Sequence, residues 1–176
     1  MNTEKNGHPP DERRILVVSD THGSLPDRIC DIAADTVLHA GDIGDDRVLA
    51  ALHCFDTVHA VRGNTDTALP ELPDTVRADI AGVRFFLVHN LTAPHRLLPE
   101  NRREIAGSRP RLVVFGHTHQ PLLREEEGIL YLNPGSLGRP GVDGTPTYAV
   151  VTVAGGAVRK VEICDAATNL PVFSWP

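Results

Sequence analysis

Short apolar runs that end at a polar residue are the feature that most restricts how this chain can fold. Three runs in the first half have the length and composition of buried strands, at residues 15–18, 36–40 and 57–61. The two stretches between them, residues 27–34 and 47–54, carry apolar residues at helical spacing. The predicted order is therefore β-α-β-α-β, which is typical of a parallel sheet with helices packed outside it.

The second half of the chain favours hairpins. Three are predicted, at residues 76–80 with 83–88, 122–124 with 129–132, and 147–153 with 158–163, besides a helix at 97–106 and a buried strand at 112–115. We expect two packed sheets, one partly parallel and one mostly antiparallel, with helices outside. Residues 1–12 are predicted to form a flexible tail, and residues 13–176 a single domain.

Composition narrows the class of protein. The chain has 17 Lys and Arg against 23 Asp and Glu, a net charge of −6, which argues against a nonspecific nucleic-acid binder. Its three cysteines, Cys30, Cys54 and Cys164, are far apart and odd in number, so we expect neither a disulfide framework nor a structural zinc site, and a reducing cytoplasm. We expect no signal peptide and no membrane-spanning helix, because no sufficiently long apolar run occurs.

Metal-binding side chains follow five of the predicted strands. In chain order they are Asp20 and His22, Asp42 with Asp45, Asn64 and Asp66, His89, and finally His117 and His119. Each pair alone is also common in a solvated loop, but ligands of open α/β sheets gather outside the carboxyl ends of the strands. Nitrogen and oxygen donors alone suit manganese, iron, zinc or a similar ion such as nickel better than calcium. The sequence therefore predicts a metal site at one edge of the sheet.

Taken in order, these groups resemble the motifs of calcineurin-like metallophosphoesterases. The matching positions are Asp20-x-His22, Gly41-Asp42-x-x-Asp45, Gly63-Asn64-x-Asp66, His89 and Gly116-His117-x-His119. The Asn-Pro-Gly-Ser segment at residues 133–136 is similar to one in the small prokaryotic phosphodiesterase branch, which resembles the retromer-coat sorting protein of eukaryotes. The resemblance spans residues 14–163 and implies an α/β fold, a four-layer α-β-β-α sandwich with two mixed sheets.

The same resemblance implies a centre of two divalent metal ions, with manganese expected and iron, zinc or nickel as alternatives. Carried over by position, Asp20, His22 and His119 would bind the first ion, Asn64, His89 and His117 the second, and Asp42 would bridge both. Asp45 and Asp66 would accept hydrogen bonds that orient ligands or waters. The residues expected to act in catalysis are Asp20, His22, Asp42, Asn64, Asp66 and His117.

The chain departs from the family pattern at two positions. Thr65 stands where many members have a histidine thought to protonate the leaving group or bind phosphate, so the general acid stays unassigned. Asn90 follows His89 where the branch usually has glycine.

The implied reaction is hydrolysis of a small phosphoester, foremost a phosphodiester. A hydroxide that bridges two divalent metals would attack phosphorus in line with the leaving oxygen. The alternatives are a phosphomonoesterase acting on a small metabolite and a metal-binding scaffold for protein interactions. The scaffold is disfavoured because histidine occupies all four family histidine-ligand positions, and a nuclease is disfavoured by the net acidity.

Two arginines and one turn have open interpretations. Arg139 either meets a substrate phosphate or pairs with a surface carboxylate. Arg62 either serves the site or balances a nearby aspartate. We interpret residues 133–135 as a tight turn that supports the site from behind.

Four other residues are expected to be structural. Phe173 and Trp175 are unusual in a loose terminus, and we expect them to dock on the body of the chain or on another copy in a homo-oligomer. His39 and His59 fall inside predicted strands, where we expect partly buried side chains with their hydrogen bonds satisfied.

Overall fold

A computed structural model describes residues 11–91, 99–138 and 144–176. The elements of the first half are β1 (Glu12–Val18), a short 3₁₀ helix (Ile29–Asp31), β2 (Thr36–His39), α1 (Asp46–Leu52), β3 (Thr57–Ala60), β4 (Thr75–Ile80) and β5 (Val83–Val88). Those of the second half are α2 (Pro99–Ser108), β6 (Leu112–Val114), β7 (Leu122–Glu126), β8 (Ile129–Asn133), β9 (Thr147–Ala154), β10 (Ala157–Asp165) and β11 (Pro171–Trp175).

The strands form two mixed sheets, as predicted. The first has the order β11-β10-β9-β1-β2-β3, with parallel pairs from β1 to β3 and antiparallel pairs from β1 to β11. The second has the order β4-β5-β6-β8-β7, with parallel pairs at its centre and an antiparallel pair at each edge. Antiparallel pairs are in the majority in the first sheet, and parallel and antiparallel pairs are equal in number in the second. The hairpin β9–β10 extends the first sheet, because β9 pairs with β1, far away in sequence.

Three apolar clusters separate the layers of the sandwich. Side chains alternate along β1, so Ile15 and Val17 lie in the cluster between the sheets, while Leu16 and Val18 pack toward α1. Both faces of β1 are thus covered, which explains its continuous apolar run. A third cluster, which includes Ile105 of α2, covers the outer face of the second sheet. The layers are therefore α-β-β-α.

The helix predicted at residues 27–34 is wrong. Only Ile29–Asp31 forms a helical turn, of the 3₁₀ type, and its C-terminal neighbour Ile32 is already extended, with φ −70° and ψ 120°. The apolar residues at helical spacing are instead packed or partly packed beside α1. The chain must straighten here because β2 begins only a few residues later, so packing overrides the local periodicity.

A disulfide joins Cys30 to Cys54, contrary to the sequence expectation. The two residues are 24 positions apart in sequence, but the 3₁₀ helix and the end of α1 lie side by side, with a Cα–Cα distance of 6.1 Å. Cys164 is buried and free. The argument for a reducing compartment from cysteine spacing therefore loses its basis.

Both ends of the described chain are paired in the first sheet. β1 begins at Glu12, within the predicted tail, and Glu12 pairs with Ala154; residues 1–10 lie outside the described residues. At the other end Trp175 packs against the cluster between the sheets, and its indole N–H donates to Glu125 at 3.2 Å. Trp175 thus docks on the body, as expected, whereas Phe173 is 49% exposed. None of the described helices is long and apolar enough to cross a membrane.

The disulfide generates a test of stability. Reduction should lower the free energy of unfolding by about 3 kcal/mol, because it releases the loop between Cys30 and Cys54 in the unfolded chain. Urea unfolding with and without dithiothreitol measures this change. The Cys30→Ser variant is the control and should unfold at the same urea concentration in both conditions. Finding three titratable thiols in the unfolded, unreduced protein, instead of one, would show that the disulfide is absent.

Candidate metal centre

The loops that follow β1, β2, β3, β5 and β6 meet where the carboxyl ends of the strands of both sheets converge. Main-chain hydrogen bonds connect them: Asp20 N donates to Gly41 O and His22 N to Asp42 O, each at 2.9 Å. Gly116 N donates to His89 O at the same distance, which links the loops of the second sheet. The loops therefore hold one another in place.

Three of the predicted ligands form one group. Asp20, His22 and His119 place ligand atoms within 4.8 Å of one another. The Nε2 atoms of His22 and His119 lie 3.4 Å apart, and His119 Nε2 lies 3.2 Å from Asp20 Oδ1. Two ring nitrogens and a carboxylate oxygen thus point into one space.

The remaining predicted ligands lie on the other side of Asp42. His89 Nε2 is 3.5 Å from Asp42 Oδ1, and His22 Nε2 is 3.8 Å from Asp42 Oδ2, so the two oxygens of Asp42 face the two groups. Asn64 Oδ1 lies 3.0 Å from His89 Nε2 and 2.9 Å from His117 Nδ1. Asp20 and Asp42 also come within 4.8 Å of His89. The structure therefore brings all seven predicted ligands together.

The chemistry of these atoms fits divalent cations. Asp20 Oδ1 is buried and has no hydrogen-bond donor among the described residues, which is costly for a carboxylate oxygen unless a cation lies beside it. His89 Nδ1 donates to Ala40 O at 2.8 Å, so in the neutral ring Nε2 presents a lone pair to the group, whereas in the protonated ring it faces Asp42 with its N–H. Nitrogen and oxygen atoms whose lone pairs face one another at about 3 Å repel, and a metal ion bound between them would remove this repulsion.

Burial and hydrogen bonds shift the pKa values of three residues at the centre. Burial raises the pKa of Asp42, but the hydrogen bonds from His89 and from Thr65 N lower it more, so its pKa lies below the usual range and the carboxyl is ionised. Burial also raises the pKa of Asp20, and the hydrogen bond from Ser19 offsets this only in part. Burial lowers the pKa of His89, yet the hydrogen bond and charge of Asp42 leave it above the ordinary value.

Most of the candidate ligands have left-handed backbone conformations. The φ angles are 53° at Asp20, 46° at His22, 54° at Asp42, 68° at His117 and 56° at His119. Such values are uncommon outside glycine and cluster at functional sites, where the surrounding structure enforces them. Here they turn each side chain back toward the centre directly after its strand ends.

The two aspartates that were expected to orient ligands or waters, Asp45 and Asp66, differ from each other in their contacts. Asp66 is buried, and its two oxygens accept from Gly44 N and Gly63 N, each at 2.8 Å, so it ties the loop after β2 to the loop after β3. Asp45 caps α1: it accepts from Arg47 N at 2.8 Å and pairs with the Arg47 side chain. Asp45 was expected to orient ligands or waters, but in the structure its side chain caps α1.

His39 is a supporting residue that the sequence did not reveal as part of the site. It is fully buried, its Nε2 lies 3.0 Å from Thr21 Oγ1, and its Nδ1 accepts from Gly41 N at 3.2 Å. Burial lowers its pKa to about 3, so the ring is neutral. His39 thus joins the loops that carry Asp20 and Asp42, and only its position one residue before Ala40-Gly41 could have indicated this.

The turn at residues 133–135 supports the site from behind, as interpreted. Asn133 Nδ2 donates to Gly116 O at 2.8 Å, which fixes the bend before His117. Ser136 Oγ, just beyond the turn, donates to Asp20 O at 2.9 Å. Arg139 lies outside the described residues.

Arg62 balances an aspartate, as one of its two interpretations expected. Its Nε and Nη2 lie 3.1 and 2.5 Å from Asp74 Oδ1. This ion pair sits beside Asn64 on the wall of a groove that opens at the site.

Comparison with known proteins identifies the family of the chain. The model of the calcineurin-like phosphoesterase superfamily domain matches residues 14–156. A probable metallophosphoesterase of Methanothermobacter thermautotrophicus is 32% identical over 168 residues, which cover 90% of this chain and 94% of that protein. The chain therefore belongs to the calcineurin-like phosphoesterase superfamily, among small prokaryotic metallophosphoesterases.

The chain is also similar to two further proteins. The phosphodiesterase YfcE of Escherichia coli K12 is 26% identical over 166 residues, which cover 78% of this chain and 86% of YfcE. The structure of Vps29 from Entamoeba histolytica in complex with zinc superposes with a TM-score of 0.74 at 22% identity, covering 89% of this chain and 94% of Vps29. This second likeness shows the shared fold.

Gly116 offers a test of how the loops shape the centre. A Cβ atom there would overlap Ser19 Oγ and lie 2.7 Å from Asp20 Oδ2. Gly116→Ala should therefore displace Asp20 and lower the number of metal ions bound per chain below that of the unsubstituted protein, as measured by elemental analysis after dialysis against manganese. Gly107→Ala is the matched control, since nothing lies within 4 Å of its Cβ. Full metal content in Gly116→Ala, with an unchanged circular dichroism spectrum, would contradict this account.

The raised pKa of His89 leads to a prediction of how metal affinity depends on pH. His89 must lose its proton to bind a metal, and its raised pKa makes that loss harder as the pH falls. Manganese affinity should therefore rise between pH 6 and pH 7 by about tenfold for each proton displaced. Calorimetry in two buffers with different ionisation enthalpies measures both the affinity and the protons released. An affinity that stays flat over this interval, without proton release, would contradict the prediction.

Proposed function

We propose that this chain is a phosphodiesterase that acts with two divalent metal ions. The observation that carries the proposal is the position of Asp42, whose two oxygens face His22 on one side and His89 on the other. Asp20 and His119 complete the first group, and the second is completed by Asn64 and His117. One carboxylate between two sets of nitrogen and oxygen donors is the arrangement that a two-ion centre requires.

The chain's own residues would hold the ions and orient the substrate. When bound, two divalent ions supply Lewis-acid polarisation of the phosphoryl oxygens and lower the pKa of water. Asp42 would contribute an ionised carboxylate, and neutral His89 would present its Nε2 lone pair, because its Nδ1 donates to Ala40 O. Asp66 would act by fixing the loops of Asp42 and Asn64, because both of its oxygens accept main-chain hydrogen bonds.

The leaving group would depart without a histidine at position 65. Thr65 is exposed, and its main-chain N–H donates to Asp42 Oδ1 at 2.9 Å. A threonine hydroxyl is a weak acid, so protonation of the leaving alkoxide falls to water. The rate should therefore depend strongly on the pKa of the leaving alcohol.

A phosphomonoesterase is the second candidate within the same chemistry. A monoester carries one more negative charge than a diester, and the described groove beside the site holds more carboxylates than cations. That charge favours the diester. A scaffold for protein interactions is the third candidate, supported only by the shared fold with Vps29.

Metal identity and cellular location belong to the proposal as well. Manganese is the ion we propose, with iron, zinc and nickel as alternatives, because all accept mixed nitrogen and oxygen ligands. The proposed location is the cytoplasm, which fractionation of the source cells would test.

The function is tested by hydrolysis of bis(p-nitrophenyl) phosphate. Metal-stripped protein should be inactive and should gain activity on addition of manganese. His117→Ala and Asp42→Asn should each lower that activity by roughly a hundredfold or more, because each removes a ligand or the bridge between the two groups. His53→Ala is the matched control, since His53 is exposed at the C-terminal end of α1, away from the centre.

Each outcome separates the candidates. Faster turnover of p-nitrophenyl phosphate than of the diester would favour the monoesterase. Binding of two manganese ions without hydrolysis of either ester would favour the scaffold. Unchanged diesterase activity in both site variants would sink the proposed centre.

A further inference from the structure

A groove of about 600 Å³ opens beside the second group of ligands. His89, His117 and the loop after β3 line it. The start of β4, which lies beside that loop through the contact of Arg62 with Asp74, and the first turn of α2 also line the groove. A phosphodiester held at the centre has two ester groups, and this groove is where one of them would lie.

Arg62, the arginine in the described lining of the groove, forms an ion pair with Asp74. Arg62 makes two short contacts with Asp74, through Nε at 3.1 Å and Nη2 at 2.5 Å. Its side chain is 37% exposed, so it reaches the groove, but it presents an ion pair instead of a free positive charge. A second anionic group on a substrate would therefore meet no uncompensated cation on the described walls, apart from the bound metals.

Acidic groups outnumber basic groups on the same surface. Glu100, in the first turn of α2, is exposed and has no ion-pair partner among residues 11–91, 99–138 and 144–176. Asp66 also borders the groove, with both oxygens held by main-chain N–H groups. Thr67 and Thr75 add hydroxyls that can donate or accept hydrogen bonds. The described lining is therefore polar with an excess of negative charge.

We propose that this groove receives one alcohol group of the diester and selects neutral or cationic alcohols over anionic ones, with Glu100 and Asp74 as the residues that determine this specificity. The proposal rests on the proposed function, because it concerns the substrate of the same site. Glu100 repels an anionic alcohol directly. Asp74 acts by occupying Arg62, which would otherwise attract that anion.

The test compares three p-nitrophenyl diesters of phosphoric acid that differ only in the second alcohol. That alcohol is choline, ethylene glycol or glycolic acid, so its charge is +1, 0 or −1. The manganese-loaded wild type should hydrolyse the glycolate diester with a kcat/KM roughly tenfold below that of the choline diester, since like charges several ångströms apart in a partly solvated cleft repel by that order.

Two variants separate the parts of the proposal. Glu100→Gln should raise the ratio of kcat/KM for the glycolate diester over the choline diester by several-fold. Asp74→Asn should raise this ratio further, because it removes an anion and also frees Arg62. Glu127→Gln is the matched control: Glu127 is an exposed acid in the turn between β7 and β8, outside the described groove lining, and its ratio should equal that of the wild type.

Binding provides a readout that does not depend on turnover. Calorimetry should show that the manganese-loaded protein binds phosphocholine more tightly than phosphoglycolate, with the preference reduced in Glu100→Gln and Asp74→Asn. The proposal is overturned if the wild type hydrolyses bis(p-nitrophenyl) phosphate but neither kcat/KM nor the calorimetric affinity depends on ligand charge. It is also overturned if both variants keep the wild-type ratios. If no diester is hydrolysed, the proposed function fails, and the calorimetric preference alone decides whether the groove selects by charge.

Discussion

Burial of the Asp20 carboxylate is the constraint on which the arrangement of the site depends. The residue is fully buried, and its polar atoms other than Oδ1 form hydrogen bonds with several parts of the chain. Oδ2 accepts from Ser19 Oγ and His117 N, the main-chain O accepts from Ser136 Oγ, and the main-chain N donates to Gly41 O. A charge removed from water must be surrounded in this way, so the loops after β2, β6 and β8 are fixed relative to β1.

Backbone conformation and further hydrogen bonds also restrict the loops of the site. Left-handed backbone at five ligand residues, and main-chain hydrogen bonds between the loops, leave each side chain few alternatives. Neutral His39 and buried Asp66 add two further links between loops, from Thr21 to Gly41 and from Gly44 to Gly63. Metal centres gain selectivity and catalytic rate when their ligands are preorganised. The strained backbone of these loops is consistent with the proposed binding of metal ions.

Local signals in the sequence were sufficient where structure follows from short-range chemistry. The strands were found because β-strands buried on both faces need continuous apolar residues, as in β1 and β6. The candidate ligands were predicted because Asp, Asn and His directly follow such runs at several strand ends. The helix at residues 27–34 was wrong because its apolar spacing reflects packing beside α1 by an extended segment. The hairpin β9–β10 was predicted correctly, but the sheet that it joins was not, because its partner β1 is remote in sequence.

The sequence by itself determined the kinds of element, the edge of the sheet where the polar residues gather and the set of donors available to a metal, since all three depend on residue type and near neighbours. Only the tertiary structure decided which loops touch. It joined Cys30 to Cys54, placed Asp45 on a helix terminus and Asp66 between two loops, and paired Arg62 with Asp74. These contacts depend on distances between segments remote in sequence, which are set by how two sheets pack and not by any local pattern.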